Sequence, residues 1–345
     1  MPRGTTVLAI PPPLDGARSD RPPHLLRPSE VVADATRNVL IRDGWLVNRP
    51  GFLQISATPT TGRPMGLHLY TTPSTERIVV GTTTTLQVFD GSGWTTLQTI
   101  ATLPNDHVRF VQFYASSIFY LLASSRGFGI QAWDGMAATT TPITPVLAAT
   151  DLTAAANRVL VANLIQADLV WYPFRVRWSG YNDPLTYAVA DFADLVATQG
   201  PIMAIRALSR VDAAVYKTDS QWIAVAQPGL FPFRFEMRDQ KPGPVSPAVV
   251  VSAEGQHVYL AGDGGLYTFD GQRATHVGEP IRRYIQRTLQ ADVLVRAHGF
   301  YSRRDRQVWF VFPKAGDDGP TQAVSLDVDT GDASCSCPGW KFGKA

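Results

Sequence analysis

The chain has 345 residues, 45% of them hydrophobic, and 31 Lys and Arg against 29 Asp and Glu leave a net charge of +2. That much apolar material excludes a disordered chain, and so balanced a charge excludes a general nucleic-acid-binding surface. Two cysteines, Cys335 and Cys337, do not make a disulfide framework, and no run approaches the roughly 18 apolar residues of a membrane span, so no membrane insertion is expected.

At the start of the chain, Val7 opens a five-residue apolar stretch too short for a secretory signal, and a soluble, unprocessed chain is expected. Pro11, Pro12 and Pro13, then Pro22-Pro23 and Pro28, deny residues 1–37 any helical or strand periodicity. The segment reads as an extended arm whose natural support is a neighbouring subunit. Ser29 is placed to cap a short helical segment over 30–38, after which Val39-Leu40-Ile41 and Trp45-Leu46-Val47 flank Arg42-Asp43-Gly44 as a hairpin. Whether this hairpin completes the last sheet or leaves the ring is open at this level.

Alternating apolar and polar residues over 77–81, 84–89 and 94–99 predict the first sheet, and 107–114, 117–123, 127–133 and 137–143 repeat the plan. A third unit begins over 157–162 and 174–178; its outer part, 183–198, departs from the pattern and carries the signal of a short helix. Segments 201–208, 212–216, 221–227 and 232–237 form a fourth unit, and 247–252, 257–260, 265–269 and 274–277 a fifth. Ile281, Tyr284, Ile285 and Leu289 share one helical face, which predicts an inserted helix before the last strands at 293–301, 307–312 and 323–328.

A turn signal punctuates these units. Phe89-Asp90-Gly91 returns as Trp133-Asp134-Gly135, Phe269-Asp270-Gly271 and, loosely, Val328-Asp329-Thr330-Gly331, with weaker members at Trp178-Ser179-Gly180 and Thr218-Asp219. Asp90, Gly91, Asp134, Gly135, Asp270 and Gly271 are read as blade-turn residues, because Asp-Gly supplies the positive φ of a tight hairpin. Successive markers lie 44, 44, 41, 51 and 59 residues apart, close to the length of a propeller blade. The expected fold is all-β: a β-propeller of about five or six blades over 38–330, with an extended N-terminal arm, one inserted helix and a C-terminal tail over 331–345.

Catalytic signals are sparse. The histidines at 24, 68, 107, 257, 276 and 298 lack metal-ligand spacing, and neither a nucleophile elbow nor a phosphate-binding loop is present, so no metal, no cofactor and no enzymatic activity are expected. Asp263-Gly264-Gly265 and Asp317-Asp318-Gly319 lack the alternating acids of a calcium loop. A glycan-hydrolysing site would draw on Arg175, Arg177, Arg303, Arg304 and Tyr301, which are more simply strand-edge charges and rim aromatics. Arg282, Arg283 and Arg287 fall on the exposed side of the predicted helix and, with Pro11, Pro12 and Pro13, are the candidate interface with a subunit or partner.

Two segments carry a resemblance. Residues 35–52, Ala-Thr-Arg-Asn-Val-Leu-Ile-Arg-Asp-Gly-Trp-Leu-Val-Asn-Arg-Pro-Gly-Phe, resemble the N-terminal signature of bacteriophage tail nozzle proteins, also called packaged-DNA stabilisation proteins. Residues 175–184, with Arg177-Trp178-Ser179 and Asp183-Pro184, are similar to a segment common in phage virion propellers, and Tyr267-Thr268-Phe269-Asp270-Gly271 and Val308-Trp309-Phe310 fit the same pattern. The resemblance implies a structural protein of the virion tail, a sixfold homomeric ring that extends the portal-adaptor channel, retains packaged DNA and conducts it during ejection. It implies adaptor or portal-side proteins above, distal tail or fibre proteins below, and transient passage of double-stranded DNA. A carbohydrate-binding or glycan-hydrolysing tail module is the alternative, and a cellular propeller scaffold a blander third.

Overall fold

The computed structural model describes residues 56–103, 106–144, 146–288, 295–314 and 320–328, with the short strands Ala17–Arg18, Val31–Val32, Val39–Arg42, Trp45–Asn48 and Ala333–Ser336. Among these, six four-stranded sheets follow one another along the chain, over 64–99, 109–142, 146–194, 202–239, 250–276 and 298–336. Every sheet is an antiparallel meander, in which each strand pairs with the next one in sequence. The first strands of successive sheets pack on one another, which puts them innermost, and the sheets form the blades of a six-bladed β-propeller.

Blade one begins with Pro64–Thr71, and blade three with Val146–Ala155; neither strand follows from alternation. The second is buried on both sides, Asp151 and Thr153 included, because both faces of an inner strand are covered, which erases the period-two pattern. In the first, Tyr70 is buried while Leu67 and Leu69 on the opposite side are 64% and 52% exposed, the reverse of the usual pattern. The stretch 183–198 holds the short strand Phe192–Asp194 and no helix, and Val31–Val32 is a strand paired in parallel with Ala17–Arg18 where a helical segment was expected. Ala333–Ser336 is the outer strand of blade six, so the blade runs past the expected boundary at 330 and takes in Cys335. Val39–Arg42 and Trp45–Asn48 pair as the hairpin their sequence indicates, form their own two-stranded sheet and lie against Ala333–Ser336.

Among the described residues, apolar side chains seal the blades at five seams. Tyr70, Leu86 and Trp133 close the first, Leu122, Ile130 and Leu152 the second, and Leu160, Trp178 and Trp222 the third. Tyr216, Tyr259 and Phe269 follow at the fourth, and Leu266, Phe310 and Phe312 at the fifth. The predicted helix, α1 (Glu279–Thr288), drives Ile281, Tyr284 and Ile285 into that fifth seam, which is why it interrupts the blade spacing there.

Gly91, Gly135 and Gly271 have φ of +98°, +80° and +92°, each in the turn between the third and fourth strands of its blade. A Cβ on Gly91 would meet nothing within 4 Å, whereas one on Gly135 would come within 2.1 Å of the Tyr70 hydroxyl. Gly91→Val is therefore expected to cost about 1 kcal/mol from backbone strain alone, and Gly135→Val about 2–4 kcal/mol because a buried tyrosine is displaced as well. Urea unfolding of the two variants checks this, and equal losses would rule out the packing contribution.

Candidate functional site

The inner strands bring together charges that are far apart in sequence. Asp151, on the first strand of blade three, is 1% exposed, and its carboxylate accepts from Arg109 Nε on blade two at 3.2 Å, from Arg206 on blade four and from the Ile205 amide at 2.9 Å. Arg206 also donates to the Ile205 and Pro247 carbonyls at 2.7 and 2.6 Å. Burial, with Arg206 nearby, lowers the Arg109 guanidinium to about 10, so it stays charged at neutral pH. Two cations share one carboxylate, and each carboxylate oxygen already accepts from an arginine. The cluster is a brace across three blades, with its carboxylate 1% exposed.

Beside it, His107 donates from Nε2 to the Val295 carbonyl, so the approach to blade two meets the approach to blade six. Burial, with Arg109 as the second cause, lowers His107 to about 4. His298 and His68 are lowered in the same direction by burial. Between blades four and five, Tyr216 Oη lies 2.7 Å from His257 Nδ1, while His257 Nε2 lies 3.0 Å from the Ala207 carbonyl. A carbonyl only accepts, so Nε2 carries the proton and the tyrosine donates to Nδ1. Burial lowers His257 to about 4 and fixes it in this neutral tautomer. Lys217, wholly buried, donates to the Leu195 and Thr198 carbonyls at 2.7 and 2.5 Å and lies over the Phe174 ring. None of these buried groups follows from the sequence pattern, although a lone Asp within the small-residue run 146–155 is a signal of inner-strand pairing.

The blade-turn aspartates share one geometry. Asp90 Oδ1 accepts from the Ser92 and Gly93 amides, Asp134 Oδ1 from Met136 and Ala137, and Asp270 Oδ1 from Gln272 and Arg273. These bonds lower all three carboxyls, Asp90 to about 2. Ser179-Gly180 occupies the same turn in blade three, but Asp219 lies between the second and third strands of blade four, where the equivalent turn instead holds Gly229 at φ +116°. Asp329 lies outside the described residues.

On α1, Arg283 and Arg287 are exposed, but Arg282 is half-buried and pairs with Asp263 at 2.9 Å and Glu279 at 3.7 Å. Asp263 also accepts from the Gly265 amide and the Tyr267 hydroxyl, which accounts for its Gly-rich turn without a cation. Lys241, Arg273, His276 and Arg282 line an open groove of about 500 Å³ beside the helix. Pro11, Pro12 and Pro13 lie outside the described residues.

The glycan candidates do not converge. Arg175 is held by Asp194 at 2.7 Å, and Arg177 is buried among Gln166 and the carbonyls of Tyr187 and Ala188, both on the third strand of blade three. Tyr301 donates to Glu254, and Arg303 and Arg304 are exposed, three blades away across the axis. The Arg-Trp-Ser…Asp-Pro segment is a staple: Ser179 Oγ accepts from the Val159 amide, Gly180 N donates to Thr186 O, and Asp183 Oδ1 accepts from the Leu185 amide. Among the described residues, no group of three or more His, Cys, Asp or Glu is placed to hold a metal ion, and no helix is long and apolar enough to cross a membrane.

No family model matches the sequence, and no curated protein does. Solved structures match in shape. A crystal structure of Raptor from Chaetomium thermophilum is similar at a TM-score of 0.52 and 10% identity, over 83% of this chain and 25% of that one. The Cps50 (Swd1) β-propeller domain of Myceliophteria thermophila is similar at 0.51 and 10%, over 81% of this chain and 88% of that one. A chain of a mitotic checkpoint complex gives 0.50 and 9%, over 84% and 88%. At such identities the likeness shows the propeller fold alone.

Proposed function

We propose that this chain is a structural subunit of a phage tail nozzle, a wall piece that assembles with copies of itself into a sixfold ring extending the portal-adaptor channel. The residues of 35–52 and 175–184 that resemble that family support the reading. The observation that carries its geometry is the bonding among the inner strands: the Arg109–Asp151–Arg206 brace joins blades two to four, and the His107–Val295 bond joins the approaches to blades two and six, which makes one propeller a rigid block. On this reading the passage for the genome lies between copies, each contributing such a block. The net charge of +2 suits such a conduit, because strong phosphate binding would hold the DNA in place.

Electron microscopy of the purified full-length chain tests the proposal: rings with an open central bore are expected, and a population of single propellers at every concentration would overturn it. Deleting residues 1–37 is expected to leave a folded propeller that no longer assembles. Size-exclusion with light scattering checks this, and intact rings after deletion would remove the arm from the assembly.

A further inference from the structure

In a four-stranded meander the first-to-second and third-to-fourth turns lie at one end, and the second-to-third turns and blade-to-blade connections lie at the other. The disc therefore has two distinct faces. Bonds between turns agree: the Ala156 amide donates to Arg210 O, and Arg77 NH1 to Gly135 O, all on the first face.

On that first face the turns of blades two, three and four display Met136, Tyr181, Val189, Val211, Leu230 and Phe231, between 50% and 88% exposed. These turns also carry exposed Asn157, Asn182 and Arg210, but among the described residues the corresponding turns of blades one, five and six display no large exposed apolar side chain, only polar and charged ones such as Ser74, Asp90, Gln272, Arg303 and Arg304. The six apolar side chains, spread over the turns of three blades, together present on the order of 800 Å², about one partner's share of a standard interface.

The second face has its own apolar patch over the same sector. Leu103, Leu169, Val170, Trp171 and Val196 are 45–78% exposed there, around a hollow of about 130 Å³ lined by Leu103, Ala148, Ile165 and Trp171 together with Arg126 and Asn163. Leu169 holds φ at +61° with its side chain in solvent, a conformation that costs a leucine about 1–2 kcal/mol.

Resting on the ring reading above, we infer that copies of this chain pack front to back through blades two to four, the first-face patch of one covering the second-face patch of the next. A two-fold mate would cover one patch twice and leave the other in water. A heterologous contact covers both in every copy of a closed ring. Because both patches sit off the propeller axis on the same side, a wedge in the contact turns the series about a centre beyond the disc edge, and the charged turns of blades five and six stay in solvent.

Native mass spectrometry of the full chain tests the contact. A front variant, Val189→Asp with Leu230→Asp, and a back variant, Leu169→Asp with Val196→Asp, are each expected to be monomeric with unchanged circular dichroism and melting temperature. Mixed in equal amounts they are expected to give a 1:1 dimer, since one intact back then meets one intact front. Wild-type rings alongside variants that keep the wild-type mass would overturn the front-to-back contact and leave the ring standing. Loss of assembly in the front variant alone, or a mixture that stays monomeric, would overturn it too. A wild-type chain that is monomeric throughout would overturn both the contact and the ring.

Discussion

Asp151→Ala is expected to destabilise the protein by about 3–5 kcal/mol, because it leaves two arginines facing each other in the interior without their shared anion. Arg109 and Arg206 reach Asp151 from separate blades, and the Ile205 amide loses its acceptor in the same substitution. A plain cavity would cost less and would not depend on charge. The triple substitution Arg109→Met, Asp151→Leu and Arg206→Met separates the two effects: it removes every charge of this cluster and is expected to recover most of the loss. Chemical denaturation of the two variants reads the difference. A cost below about 1 kcal/mol for Asp151→Ala would mean that the cluster is hydrated and does not brace the blades.

Acid is expected to weaken the propeller well before its carboxylates protonate. His257 titrates at about 4 in the folded state against 6.5 for the free side chain, so the unfolded chain binds a proton that the folded one refuses. The stability it protects is complete above pH 6.5, declines as the pH falls from 6.5 to 4, and is flat below, a loss of about 3 kcal/mol. His107 is shifted the same way to about 4 and adds to the loss in the same direction. His68 and His298 contribute in the same direction. Urea midpoints at pH 7.5 and 4.5 should differ accordingly, and His257→Gln, which cannot ionise, should reduce the dependence without abolishing it. Identical midpoints at the two pH values would show that the imidazoles are solvated in the folded state.

The parts of this fold that were legible in the sequence are those whose cause is local. Asp90-Gly91, Asp134-Gly135 and Asp270-Gly271 announce their turns because one carboxylate and one glycine suffice to build each. The face of α1 was legible for the same reason, since Ile281, Tyr284 and Ile285 recur at helical spacing. What stayed hidden depends on distant partners. Inner strands such as Val146–Ala155 lose alternation because a neighbour covers each face. Asp151 meets Arg109 and Arg206 across 42 and 55 residues, and nothing in either neighbourhood names the other. Arg282 shows the same limit on the surface: helical spacing put it in solvent, but the turn at Asp263 comes up beside it.

Every blade is drawn from one unbroken stretch of chain, and none of the six four-stranded sheets borrows a strand from elsewhere in the sequence. A nascent polypeptide leaving the ribosome can therefore finish one sheet before the next has been made, and each newcomer docks on a predecessor that is already in place. The order of synthesis is the order of construction, and no described blade waits on a strand from a later part of the chain.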